Sequence, residues 1–222
     1  MAKTQTRRPR TRRSQTKTVA RDDVARTKKR AQEKRLTLVF ADESGFAPTP
    51  VVRKTWAPRG QRPILLHRQG KWEKVGAISG VTSRRKLYFR TKEGDAINSH
   101  DAVNFIRMLL RHIRGPIAIV WDNAQQHHAK IVTALTRKYP RLRIEFLPGY
   151  SPDFNPDEGV WNHAKVVELG NYAPKDSVEL RRTARAVLRR LKRRPNKITQ
   201  FWTQSALTLD GLERSLNLPE GG

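Results

Sequence analysis

LTLVFADESGF, residues 36–46, decides the fold. Every residue from Leu36 to Ala41 is apolar or β-branched, the composition of a strand buried on both faces. The run then ends abruptly on two acids, Asp42 and Glu43. A second stretch, IAIVWDNAQQHH at 117–128, repeats the plan: an all-apolar strand closed by Asp122. Side chains at the carboxyl edge of an open sheet are held rigidly yet stay reachable by a ligand. Because side chains alternate along a strand, Asp42 and Glu43 point to opposite faces, and one of them is expected to be excluded from any shared site.

Outward from these two strands, VVRKTWAP, WEKVGAISGVTS, KLYFRT and RIEFL read as further strands separated by Pro, Gly and charged turns. Asn98 or Ser99 caps an expected helix whose apolar positions Ala102, Phe105, Ile106, Leu109, Leu110 and Ile113 recur at helical spacing, with Gly115-Pro116 stopping it. Ile131, Ala134 and Leu135 predict a helix before Tyr139-Pro140. In PGYSPDFNP, Asn155 as N-cap and Pro156 at the first helical position predict another, with Glu158 in its first turn. A capping box between Asn155 and Glu158 would make that acid purely structural. A last helix is expected from about Ser177 to Arg193, with Leu180, Ala184, Val187, Leu188 and Leu191 on one side and Arg181, Arg185 and Arg189 in a stripe on the other, a stripe that reads equally as a solvated basic face or as a DNA-binding surface for the backbone of flanking or target DNA. Strands followed by alternating strands and helices imply an α/β domain with a mixed sheet flanked by helices.

The chain has 222 residues and a formal net charge of +26, enough for one domain with a substantial core. Such an excess of Lys and Arg favours phosphate partners through counterion release. The absence of cysteine rules out disulfides, thiolate zinc sites and cysteine nucleophiles. His127 and His128 lack a second ligand pair at suitable spacing, so zinc is not expected. No apolar run approaches a membrane span, and no apolar core follows the basic N-terminus, which points to a cytoplasmic, nucleoid-associated protein. Arg7, Arg8, Arg10, Arg12 and Arg13 belong to a basic segment that reads equally as a solvated tail or a nucleic-acid arm. Arg59, beside Trp56 in a Pro/Gly-rich turn, is a candidate DNA contact or a plain structural turn. The expected organisation is a basic, partly disordered extension at 1–35, a catalytic core at 36–170 and a helical part at 171–222 packed on that core.

Three carboxylates sharing one site repel each other unless cations neutralise them, and their hard oxygens suit Mg²⁺ or Mn²⁺. Two such ions can activate a water or a 3′-hydroxyl and stabilise the leaving oxygen of a phosphodiester. ADESGF, KTWAPRGQRP, VWDNAQQHHAK and LPGYSPDFNPDEGVW, taken in order, resemble the catalytic domain of the IS630/Tc1/mariner superfamily of DDE transposases. The resemblance implies an RNase H-like fold and a catalytic, metal-holding triad of Asp42, Asp122 and Glu158. Asn123 and His127 would support it. It also implies transposon-end cleavage, strand transfer into target DNA and synapsis as a dimer or higher assembly. The interval from Asp122 to Glu158 is one residue longer than is usual there, which leaves Asp157 as a competitor. The helix-turn-helix reader usual in that superfamily is expected on a separate polypeptide or lost by truncation. The rival expectations are a non-catalytic basic nucleic-acid-binding remnant and a cellular RNase H-like nuclease or resolvase.

Overall fold

In the computed structural model, residues 33–66, 73–94, 96–122, 124–147 and 155–205 are described, with scattered helical positions between 22 and 30. Five strands, β1 (Thr37–Phe46), β2 (Val75–Thr82), β3 (Leu87–Glu93), β4 (Ile117–Trp121) and β5 (Leu142–Phe146), form one sheet in the order β3-β2-β1-β4-β5. The first three pair antiparallel, while β4 joins β1, and β5 joins β4, in parallel. β1 and β4, the two strands that lead into the acids, are therefore neighbours at the centre, with Phe40 opposite Val120.

Alternation along β1 builds two cores. Leu38 and Phe40 face one side, where α3 (Asp157–Asn162), α4 (Ser177–Lys192) and α5 (Pro195–Gln204) contribute Trp161, Leu188 and Trp202. Phe40 meets Trp202 edge-on, with ring centroids 5.1 Å apart. Val39 and Ala41 face the other side, against α1 (Ser99–His112) and α2 (Lys130–Lys138). The α1 N-terminus carries a full capping box: the Asn98 side chain accepts from the His100 and Asp101 amides, and the Asp101 carboxylate accepts from the Asn98 amide. At its other end the Arg141 guanidinium donates to the carbonyls of Leu110 in the last turn, Ile113 at the C-cap and Gly115 in the turn that follows. All five apolar residues expected on the inner side of α4 are buried.

Four expectations are corrected. VVRKTWAP is not a sheet strand: it joins neither of the edge strands, β3 and β5. The segment pairs instead with a distant loop. There is a single bridge from Val51 to Gly170, and Arg53 and Asn171 exchange hydrogen bonds of 2.7 and 2.9 Å. Ile131 lies on the outer side of α2, at 38% exposure, while Val132 and Leu135 are buried. α3 begins one residue later than expected, with Pro156 as N-cap; Asn155 still accepts from the Asp157 amide through its side chain. Among the described residues no return bond from Glu158 closes a capping box, so that structural role for Glu158 falls away. α5 has no counterpart among the expected elements, although Pro195 at its start and the spacing of Ile198, Phe201 and Trp202 both announce it. No helix among the described residues is long and apolar enough to cross a membrane.

Candidate active site

β1 runs on to Phe46, so Asp42 lies within the strand and not at its end as expected; it stands just past Phe40, the last residue paired with β4, and opposite Ser79 of β2. There Asp42 Oδ2 accepts a hydrogen bond from Trp161 Nε1 at 3.1 Å. Trp161 lies three residues after Glu158 on α3, one helical turn away and on the same side. The same short helix thus delivers an exposed acid to the rim and an indole donor to the acid at the centre. Asp157, fully buried, accepts from Ser79 Oγ at 2.7 Å, and its Oδ1 has no partner among the described residues.

Burial, then the charges of Glu158, Glu43 and Asp122, push Asp42 up to about 7. Four carboxylates therefore act on one another at this edge. Burial and then the charge of Asp42 raise Asp157, which lies beneath the others, well above the ordinary carboxylate value. Burial also raises Glu158, against the opposing charge of Lys165. The Lys165 ammonium donates to Ser44 Oγ and lies 5.8 Å from the Phe46 ring centroid.

Asp122 follows β4 directly. The buried His127 ring, stacked on Trp121 at 4.0 Å, turns Nδ1 toward the Asp122 carboxylate at 2.8 Å and carbonyl at 3.0 Å. Its Nε2 faces Glu43 Oε1 at 3.0 Å. Burial alone would lower the His127 pKa, but the hydrogen bonds to Asp122 and Glu43 outweigh it and raise it to about 9. The same contact holds Asp122 below the ordinary carboxylate value. Glu43, Asp122 and His127 present ligand atoms within 4.8 Å of one another. Lying between Asp122 and Glu43, His127 acts as a strut that fixes the two acids against each other.

The alternation expected for Asp42 and Glu43 holds, but the exclusion of one acid does not. Asp42 faces Trp161, Glu43 faces His127, and His127 ties Glu43 to Asp122. Sequence reasoning missed the structural role of Trp161, the linkage through Glu43 and the contribution of Lys165. The helical interval from Glu158 to Trp161 was the available signal. Asn123 lies outside the described residues, as do Arg7, Arg8, Arg10, Arg12 and Arg13. Arg59 sits in an exposed turn where the Gln61 amide bonds the Pro58 carbonyl, next to Trp56 at 99% exposure. Among the described residues no hydrogen bond joins it to the acids. Arg181 pairs with Glu93, and Arg185 and Arg189 are exposed.

A mixed sheet in this order, covered by helices on both faces, with Asp42 inside β1 just past its pairing with β4 and Asp122 directly after β4, is an RNase H-like fold. The chain belongs to the DDE superfamily endonucleases, whose family pattern matches residues 37–181. Its fold is similar to that of a Mos1 transposase paired-end complex with the left transposon end (TM-score 0.54, 17% identity, covering 93% of this chain and 67% of that chain). It is similar also to the Mos1 mariner paired-end complexes with Mn (0.56, 14%, 92% and 67%) and with Mg (0.50, 18%, 93% and 67%). No curated protein matches the chain. The donor set at the sheet edge suits a hard divalent cation: it offers several carboxylate oxygens and no thiolate, and Asp42 lies among the charges of Glu158, Glu43 and Asp122.

Proposed function

We propose that this chain is the catalytic part of an IS630/Tc1/mariner-type transposase, with Asp42, Asp122 and Glu158 as the catalytic acids and ligands for two Mg²⁺ or Mn²⁺ ions. The observation that carries the reading is Asp42. A carboxyl raised to about 7 by burial and three neighbouring acids is a group prepared for a cation. When bound, divalent cations would activate a water or a 3′-hydroxyl and stabilise the leaving oxygen of a phosphodiester. Hydrolysis breaks a P–O bond at a transposon end and frees a 3′-hydroxyl and a 5′-phosphate; that hydroxyl then attacks a target phosphodiester, forming a new P–O bond as the target strand's 3′-oxygen leaves as a hydroxyl.

The residues of this chain provide the geometry. Trp161 orients Asp42, His127 fixes Asp122 and Glu43 against one another, and Lys165 supplies positive charge beside Glu158. Glu158 is favoured over Asp157 as the third acid because it reaches the rim, whereas Asp157 is sealed below and bonded to Ser79. Mos1 complexes that carry transposon ends, Mn or Mg on a similar fold support the reading. A dimeric or larger synaptic assembly and action at the nucleoid in the cytoplasm complete it.

The test is metal-dependent nicking of supercoiled plasmid, together with strand transfer of a pre-cut 3′ end. Asp42→Asn, Asp122→Asn and Glu158→Gln should each lose far more than about tenfold, a change of about 1.4 kcal/mol in the barrier, and should bind DNA as well as before. Asp157→Asn should stay active. A dead Asp157→Asn beside an active Glu158→Gln would move the third acid by one position.

A further inference from the structure

We infer that a second DNA-contacting surface runs along α4 to a basic cleft at the opposite pole of the sheet, and that it tracks a duplex backbone away from the cut. α4 lies antiparallel to β3. Near its start Arg181 pairs with Glu93, at the end of β3; at its last residue the Lys192 ammonium sits 5.7 Å from the Tyr88 ring centroid, at the beginning of β3. Arg185, Arg189 and Lys192 form the exposed row between these points, and the row from Arg181 spans about 16 Å at 1.5 Å per residue.

Tyr88 is also a wall of a cleft of about 240 Å³ that Arg84, Lys86 and Arg114 line and no acid enters. The cleft opens where β1 begins, at Thr37, while Asp42 lies five residues on, so it stands about 17 Å from the acids. The acids nearby are used selectively. Glu93 pairs with Arg181, and Glu168 with Arg190 and Arg194 on the other flank of the helix. Among the described residues none of Arg185, Arg189, Lys192, Arg84, Lys86 and Arg114 has an ion pair. Cations left unpaired in one continuous row, against a chain of net charge +26, are drawn to polyanions.

The kind of partner follows from the surface. A protein interface needs an apolar centre, and between the Arg side chains α4 exposes little beyond Val178 and Ala186. Guanidinium and ammonium groups at steps of three and four residues match phosphates, which advance about 3.4 Å along the axis per nucleotide, so the helix alone covers about five steps. The inference rests on the DNA-cutting reading only for the class of polymer.

Two variants of the full chain test it: Arg185→Glu/Arg189→Glu on the helix and Arg84→Glu/Lys86→Glu/Arg114→Glu at the cleft. Binding to a duplex of about 30 base pairs is followed by fluorescence anisotropy over a salt series. Each variant should weaken binding for every sequence alike and flatten the slope of log K against log salt by about 0.9 for every phosphate it ceases to neutralise. Cleavage at saturating DNA should persist, because neither variant touches the acids. Where reversal lowers the thermal midpoint, the same positions changed to Gln are read instead. An unchanged slope in either variant overturns the track. Tighter binding of an RNA duplex, abolished in the same variants, would reassign it to RNA and overturn it equally. Loss of cleavage in the Asp42→Asn protein bears on the reaction alone and leaves this outcome independent.

Discussion

Asp42 is penalised in the metal-free protein by burial and by the charges of Glu158, Glu43 and Asp122 together. Its folded pKa of about 7 stands above the ordinary 3.8, so between those values the folded protein holds a proton that the unfolded chain has released. Stability without metal must then fall as pH rises through that window. His127 works in the same direction at higher pH. Raised from 6.5 to about 9, its stabilising pairs are complete below the lower value and lost as pH climbs through the upper. The thermal midpoint of the metal-free protein should therefore decline steadily from about pH 5 to about pH 9. Asp42→Asn should remove the lower part of that decline and raise the midpoint at about pH 8, while Mg²⁺ should stabilise the wild type and not the variant. Calorimetry with and without Mg²⁺ decides it. A midpoint indifferent to both pH and metal would remove the electrostatic account of the site.

At the scale of elements, α3 is short, yet it carries both Glu158 and the Trp161 donor, so its seat on α5 sets the site. Gly159 makes that seat: a Cβ built there would lie 2.7 Å from Phe201 Cδ1 and 2.9 Å from Phe201 Cβ. Phe201 is itself buried and cannot swing clear. Gly159→Ala should cost about 1–3 kcal/mol by overpacking and should also reduce cleavage, because the displaced helix moves both groups. Asn98→Ala is the matched control. It removes the cap of α1, on the other face of the sheet, at about 1 kcal/mol, and should leave the cleavage rate of the folded fraction alone. Equal effects of the two on cleavage would mean that α3 placement is not what Gly159 protects. The five strands and the helices α1 to α4 are legible in the sequence because each carries its own apolar pattern, cap or turn signal. Residues 51–58 mislead because β-branched and aromatic composition only says that a segment fits a pleated surface. Such a segment pairs with whatever backbone tertiary packing brings beside it, here Gly170 and Asn171.

Over the whole molecule the positive charge is unevenly spread, with 13 Lys and Arg against 3 Asp and Glu in residues 1–34. The sheet and both apolar clusters draw on residues from Leu36 onward. Arg30 reaches Glu145 at 4.0 Å, but both side chains are solvent-accessible and such a pair contributes about 0–1 kcal/mol. Removing residues 1–34 should therefore leave the thermal midpoint nearly unchanged while weakening DNA binding. The salt slope should flatten by about 0.9 for every phosphate that the segment neutralises. An unaltered slope would show that this segment does not touch DNA. A collapsed transition would show that it packs on the core.

The sequence by itself determined that two buried strands lead into acids, that a third acid opens a later helix, and that the surface favours phosphate. Those properties are local, written in apolar runs, Pro and Asn helix signals and net charge. Only the tertiary structure decided which of the neighbouring acids face one another. Strand order places β1 beside β4, and the docking of α3 turns Glu158 to the rim and Asp157 inward against Ser79. Tertiary packing also makes His127 the strut that joins Glu43 to Asp122. The contacts from Ser79 to Asp157 and from Asp42 to Trp161 link residues that are 78 and 119 positions apart. No local pattern encodes such distances; packing of the two cores around one central strand does.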